Sequence, residues 1–99
     1  MKVKMQTVHF NADGKLLDYI QRKVDKLETF YDRITDGEVI MKLENDGQNQ
    51  NKIVEFIFNI PGDKIFAKER SRTFEAATDL AMDRLKRQLK KYKQKKIGR

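Results

Sequence analysis

The spacing of apolar residues changes period along this chain, and the order of the changes restricts the fold more than any other feature. Near the N-terminus, and again between positions 38 and 70, apolar and polar residues alternate, as in a strand with one buried face. Residues 14–31 and 74–92 instead place apolar residues at steps of three and four, which is typical of amphipathic helices. The predicted order is β-α-β-β-β-α.

Turn signals separate the alternating segments. Asp36-Gly37 predicts a turn, residues 45–51 form a polar stretch typical of a hairpin loop, and Pro61-Gly62 suits the two central positions of a tight turn. Four strands are predicted, at residues 3–10, 38–44, 52–60 and 63–70. The last three should form an antiparallel meander because their connections are short.

Each predicted helix has one apolar stripe and a capping residue before it. Asp13 is a good N-cap for the first helix, and Ser71 or Thr73 for the second. The stripes contain Leu16, Leu17, Ile20, Val24, Leu27 and Tyr31 in the first helix, and Phe74, Thr78, Ala81, Leu85, Leu89 and Tyr92 in the second. Packing both stripes on the apolar sheet face predicts an α+β two-layer sandwich: a four-stranded sheet with both helices on one face.

The chain has 99 residues, which is enough for one domain. We expect that domain to occupy residues 1–92 and the basic residues 93–99 to form a frayed tail. The absence of cysteine excludes disulfides and cysteine-bound zinc. No apolar stretch is long enough for a signal peptide or a membrane span, so we expect a cytoplasmic protein.

Positive charge is concentrated at the C-terminal end. The net charge is +7, but residues 84–99 contain nine basic residues and no acidic one. Residues 1–83 therefore hold 22 − 9 = 13 basic residues against all 15 acidic ones, a net charge of −2. Such asymmetry predicts a polyanionic partner, either a nucleic acid or an anionic membrane surface.

Helical geometry distributes these cations on both sides of the second apolar stripe. Arg84, Arg87, Lys91 and Lys95 flank it on one side, and Lys86, Lys90 and Lys93 on the other. This arrangement suits an RNA backbone, although basic residues also stabilise a helix C-terminus. The first helix adds Arg22, Lys23 and Lys26, which alone are explained by pairing with acids three or four positions away.

Nothing in the sequence indicates catalysis. His9 is the only histidine and has no cysteine, second histidine or nearby serine with which to form a catalytic or metal-binding group. There is no glycine-rich phosphate loop. We therefore predict a binding protein rather than an enzyme, with no cofactor, no metal and no small-molecule substrate.

Two segments resemble the ribosome hibernation promoting factor and ribosome-associated inhibitor family. Residues 23–34 (KVDKLETFYDRI) are similar to that family's K-x-x-KLE-x-[FY]-[FY]-D run at the end of the first helix. Residues 74–93 (FEAATDLAMDRLKRQLKKYK) resemble its last helix, where an aromatic and A-x-D precede D-[KR]-L-x-RQL-x-K-x-K. The chain departs from the family at Arg72-Thr73, where an acidic pair is usual, and at Thr78, where isoleucine is commoner. It resembles the family's short form.

The resemblance implies a fold similar to a double-stranded RNA-binding domain and a site in the cleft of the small ribosomal subunit. There, basic residues of both helices would face ribosomal RNA. By position, the family motifs assign this role to Lys23, Lys26, Arg84, Arg87, Lys91 and Lys93. Charge and helical geometry add Arg22, Lys86, Lys90 and Lys95.

We therefore expect a ribosome hibernation factor that is monomeric when free. It would bind the rRNA of the small subunit and sterically block transfer RNA and messenger RNA, inhibiting translation in idle cells. One alternative is a general double-stranded RNA-binding domain, which would bind a plain duplex as tightly as it binds subunits. Another is a peripheral membrane protein using the basic C-terminal helix, whose apolar face would then have to be free.

Overall fold

The computed structural model describes residue 1 and residues 3–47 and 49–97, with the backbone alone at positions 46, 49, 50, 96 and 97. The elements follow the predicted order β-α-β-β-β-α. They are β1 (Val3–Val8), α1 (Gly14–Phe30), β2 (Asp36–Asp46), β3 (Asn49–Ile60), β4 (Asp63–Ser71) and α2 (Phe74–Ile97).

The four strands form one sheet in the order β1-β2-β3-β4. β2, β3 and β4 make the predicted antiparallel meander, while β1 pairs with β2 in parallel through a crossover that contains α1. The turn between β3 and β4 lies at Pro61-Gly62 as predicted, and Gly62 has a φ of 77°, a conformation that glycine adopts without strain.

Both helices cover the same face of the sheet, which confirms the two-layer α+β sandwich. The core joins the stripes of the two helices to the inward side chains of the strands. Its fully buried centre includes Ile20, Val24, Leu27, Val39, Met41, Val54, Phe56, Phe58, Ala77, Ala81, Leu85 and Leu89. The apolar face of α2 is thus used for packing on the sheet, and the membrane alternative lacks the free apolar face that it requires. No helix within the described residues has the length and apolar character to cross a membrane.

The helices begin where the capping residues predict. Asp13 Oδ1 accepts a hydrogen bond from Leu16 N at 2.8 Å, and Thr73 Oγ1 accepts one from Ala76 N at 3.0 Å. Between the two caps proposed for α2, the structure selects Thr73.

The second helix is longer than predicted. It continues through the basic segment to Ile97, whereas the sequence places the start of a frayed tail at position 93. Lysine and glutamine are good helix formers, and the segment 93–97 contains no glycine or proline that would end the helix. The remaining tail positions, Gly98 and Arg99, lie outside the described residues.

One turn prediction is wrong, and one hairpin loop is shorter than predicted. Asp36-Gly37 lies at the start of β2 and is not a turn. Gly37 is required there by packing, since a Cβ atom on it would lie 2.2 Å from Cδ1 of the buried Phe58 ring. The predicted loop 45–51 is mostly strand, because the β2–β3 pairing extends to Asp46 opposite Asn49.

Candidate nucleic-acid interface

The two helices lie side by side and run in the same direction. The hydroxyl of Tyr19 in α1 donates a hydrogen bond of 2.7 Å to Asp79 Oδ1 in α2. Farther along, the Tyr31 and Tyr92 rings meet edge to face at 6.0 Å. These contacts are 12 residues apart on one chain segment and 13 on the other, so the helices run parallel over this length.

The helix faces turned away from the sheet form a single surface, which we call the two-helix surface. The ten cations predicted from sequence lie on it or, in the case of Arg84 and Lys95, at its border with β4; they are Arg22, Lys23, Lys26, Arg84, Lys86, Arg87, Lys90, Lys91, Lys93 and Lys95. The structure brings Arg84, Arg87, Lys90 and Lys91 together around one depression, whereas Arg22 lines a separate one with Asp18 and Glu75.

The exposed side of α2, which we call the ridge, holds five unpaired cations of the two-helix surface. Arg87, Lys90 and Lys91 are exposed and line a shallow depression with Gln88 and Gln94. Lys86 and Lys95 are also exposed. Among the described residues, none of these five cations has a carboxylate within ion-pair distance, so their charges are available to a bound anion.

Arg84 differs from the other cations of α2. Its Nε lies 2.5 Å from Oε2 of Glu69 in β4. The guanidinium side chain remains 61% exposed while the carboxylate is 17% exposed, so the pair anchors α2 to the edge strand and leaves part of Arg84 open. Arg84 has a structural partner that the sequence did not reveal.

The α1 cations do not make the local pairs that their spacing suggested. Lys23 Nζ instead lies 3.4 Å from Asp79 on the neighbouring helix and 5.3 Å from the centre of the Tyr19 ring. Arg22 and Lys26 are exposed and have no ion pair with any described residue. Only Lys23 is therefore partly neutralised, and by a residue of α2.

Asp79 also affects Tyr19. Its hydrogen bond to the hydroxyl, together with burial, raises the pKa of Tyr19 above the ordinary value of 10.0. Because Asp79 contacts both Tyr19 and Lys23, it joins the two helices and fixes the position of one predicted cation.

Lys93 occupies the junction of the two helix ends. Its Nζ lies 4.9 Å from the centre of the Phe30 ring and 5.9 Å from that of Tyr31, within the range of a cation–π interaction. Sequence reasoning did not include Phe30 in the site. The sequence signal for it was the pair Phe30-Tyr31 at the helix end, because two consecutive aromatic side chains cannot both face the core and one of them should be exposed.

Two further contacts hold α2 on the sheet. Gln88 pairs with the backbone of Phe66 in β4: its Nε2 donates to the carbonyl oxygen at 2.6 Å, and its Oε1 accepts from the amide at 3.1 Å. The Tyr92 hydroxyl donates to the carbonyl oxygen of Pro61 in the β3–β4 turn. Gln88 thus satisfies backbone groups on the open edge of β4 and orients the cations that flank it.

Charge is distributed unevenly along the two-helix surface. Glu75, Asp79 and Asp83 lie in the first half of α2, and no acidic residue follows Asp83. The C-terminal half of α2 therefore forms the basic part, whereas the end of α1 beside it carries both Lys26 and the acids Asp25 and Glu28. A polyanion is expected to bind that half of α2, away from the acidic residues.

Comparison with known proteins supports the same family. The profile of the family described as sigma 54 modulation protein / S30EA ribosomal protein matches residues 3–97. The ribosome hibernation promoting factor of Pseudomonas putida is 37% identical over 95 residues, which cover 96% of this chain and 89% of that protein. The factor of the same name from Azotobacter vinelandii is 34% identical over 99 residues, covering 100% of this chain and 89% of its own.

A solved structure shares the fold. The protein described as a ribosomal subunit interface protein from Coxiella burnetii matches with a TM-score of 0.84 and 26% sequence identity. The match covers 94% of this chain and 98% of that one. Sequence and fold agree over nearly the whole length, and the chain belongs to the sigma 54 modulation protein / S30EA ribosomal protein family.

Proposed function

We propose that this protein is a ribosome hibernation factor that binds the RNA of the small ribosomal subunit in the decoding cleft and blocks transfer RNA and messenger RNA. The names of its relatives support the ribosome as the partner, since two of them are ribosome hibernation promoting factors and one is a ribosomal subunit interface protein. A ribosomal partner would place the protein in the cytoplasm.

The observation that carries the proposal is the unpaired positive charge of the two-helix surface. Lys86, Arg87, Lys90, Lys91 and Lys95 are exposed on one ridge, and Arg22 and Lys26 add charge from the adjacent helix. Each cation that contacts a phosphate releases condensed counterions, which makes binding to RNA favourable at moderate salt. Among the described residues, the outer sheet face has no comparable excess, because its five cations are interspersed with the acids Asp36, Glu38, Glu44 and Glu55, and Lys42 and Arg70 pair with two of them.

The proposed inhibition is steric. α2 has 24 residues and is about 36 Å long, at 1.5 Å per residue. It is held on the sheet by Gln88 and Tyr92, so the cations lie on a rigid body rather than on a mobile tail. A rigid body of this size bound in the cleft would exclude other ligands by overlap, without chemical change to the ribosome.

A competition experiment tests the proposal. Small subunits programmed with messenger RNA are incubated with labelled transfer RNA and increasing concentrations of the protein, and the retained label is measured on filters. We expect the protein to displace the labelled transfer RNA. In the reverse experiment, an excess of transfer RNA and messenger RNA should reduce the amount of protein that co-sediments with the subunits.

The control variant carries Arg87→Glu and Lys91→Glu. Both residues are exposed and unpaired within the described part of the chain, so the variant should fold normally and fail to displace transfer RNA. Simultaneous binding of the protein and transfer RNA would contradict the steric mechanism. Displacement by the variant at the wild-type concentration would contradict the site.

A further inference from the structure

Phe30 is an exposed aromatic residue on the two-helix surface. It is the last residue of α1, and 39% of it is exposed. Tyr31 follows it and is buried in the core, where it is 8% exposed and contacts Tyr92. The backbone turns from helical to extended at Tyr31, so the two rings diverge: Tyr31 enters the core and Phe30 stays partly exposed.

Two cations lie near the exposed ring. Lys93 Nζ lies 4.9 Å from its centre, and the exposed Lys26 precedes it by one helical turn. The surface near the ring is therefore positively charged, and the ligand expected there is an anion that also has an apolar, planar part. A nucleotide combines these two properties.

The geometry of RNA decides which nucleotides can use such a ring. Bases in an A-form duplex are stacked on each other, and proteins read the duplex mainly through phosphates and 2′-hydroxyls. Bases in loops and bulges are free to stack on aromatic side chains, and this contact tolerates any base. An aromatic residue among phosphate-binding cations thus favours RNA with an unpaired nucleotide.

We propose that Phe30 stacks on an unpaired nucleobase of the bound RNA, while Lys26 and Lys93 bind the adjoining phosphates. This inference rests on the proposed function and deepens it. It assigns to the site a preference for irregular RNA over a plain duplex. Phe30 would supply that preference, and the ridge of α2 would supply affinity that does not depend on sequence.

The first test compares Phe30→Leu with Phe66→Leu in binding to purified small subunits. Phe66 is a matched control because it is 48% exposed and lies on the opposite sheet face. Loss of one base stack should weaken binding roughly 5- to 150-fold. The slope of log K against log salt should stay nearly constant, because no cation is removed. Phe30→Tyr, which keeps an aromatic ring, should bind like the wild type.

The second test uses two hairpin RNAs with the same stem, one of which carries a single unpaired adenosine. The wild type and Phe66→Leu should prefer the bulged hairpin, and Phe30→Leu should bind both equally. The plain hairpin reports on folding and on charge contacts in the same experiment. Equal binding of both hairpins by the wild type would overturn the inference.

These measurements separate the inference from the proposed function. If Phe30→Leu binds small subunits like the wild type, and binding still weakens with salt, stacking is refuted and the charge-based docking remains. If the wild type does not bind small subunits, or binds them independently of salt, the proposed function fails and the inference with it.

Discussion

Replacing Lys90 and Lys91 by glutamine should change both the affinity for small subunits and its dependence on salt. Both side chains are exposed, and neither has an ion pair with a described residue, so each can contact a phosphate. Each lost contact reduces the slope of log K against log salt by about 0.7 for single-stranded RNA or about 0.9 for a duplex. Two lost contacts reduce it by about 1.4 to 1.8, which at 0.1 M salt weakens binding roughly 25- to 60-fold.

Co-sedimentation with small subunits across a salt series measures both quantities. For the wild type, a slope near −4 to −5 is expected if about six cations contact phosphates. The matched control is Lys4→Gln with Lys68→Gln, two exposed cations on the outer sheet face. Both double variants have a net charge of +5, since each loses two of the 22 basic residues and the wild type has a net charge of +7.

The comparison has a clear refuting result. If the two double variants lose affinity and slope equally, overall charge determines binding and the position of the cations on α2 does not. If neither variant differs from the wild type, the ridge does not contact phosphate. Thermal unfolding checks that the variants fold, and changes within about 0.5 kcal/mol are expected for exposed positions.

Three further predictions concern the fold and the helix contacts. The Thr78 hydroxyl is fully buried without a hydrogen-bond partner among the described residues, so Thr78→Val should stabilise the protein by about 1 kcal/mol and raise Tm by about 4–8 °C. A lower Tm would show that the hydroxyl is satisfied. Gly37→Ala should destabilise by about 1–3 kcal/mol in urea unfolding, because the added Cβ overlaps the Phe58 ring. An unchanged midpoint would contradict this close approach. Asp79→Asn should lower the pKa of Tyr19, seen as earlier ionisation in a spectroscopic titration above pH 9; an identical titration would exclude the hydrogen bond.

Local patterns predicted most of the fold. The helix stripes and the Asp13 cap are set by residues close in sequence, as is the Pro61-Gly62 turn, and the structure confirms them. The role of Gly37 was not predictable in this way, because it depends on the Phe58 ring of the neighbouring strand. The parallel pairing of β1 with β2 was not predicted either, because it depends on where the crossover through α1 returns the chain to the sheet.

The candidate site was predictable to a similar extent. Helical geometry and charge indicate which cations lie outside the apolar stripes, and the structure leaves eight of those ten side chains exposed. The partners of Arg84 and Lys23 could not be predicted, because they depend on which strand and which helix lie beside them. The role of these cations in RNA binding stays a prediction, which the binding experiments above test.

Lysine modification of the protein bound to small subunits tests the central claim most directly. An amine-reactive reagent is applied to free and bound protein, and mass spectrometry measures the modification of each lysine. If α2 meets the RNA, binding should protect Lys86, Lys90 and Lys91 while Lys4 and Lys68 keep their reactivity. Protection of the outer-face lysines, with the helix lysines left reactive, would contradict the account.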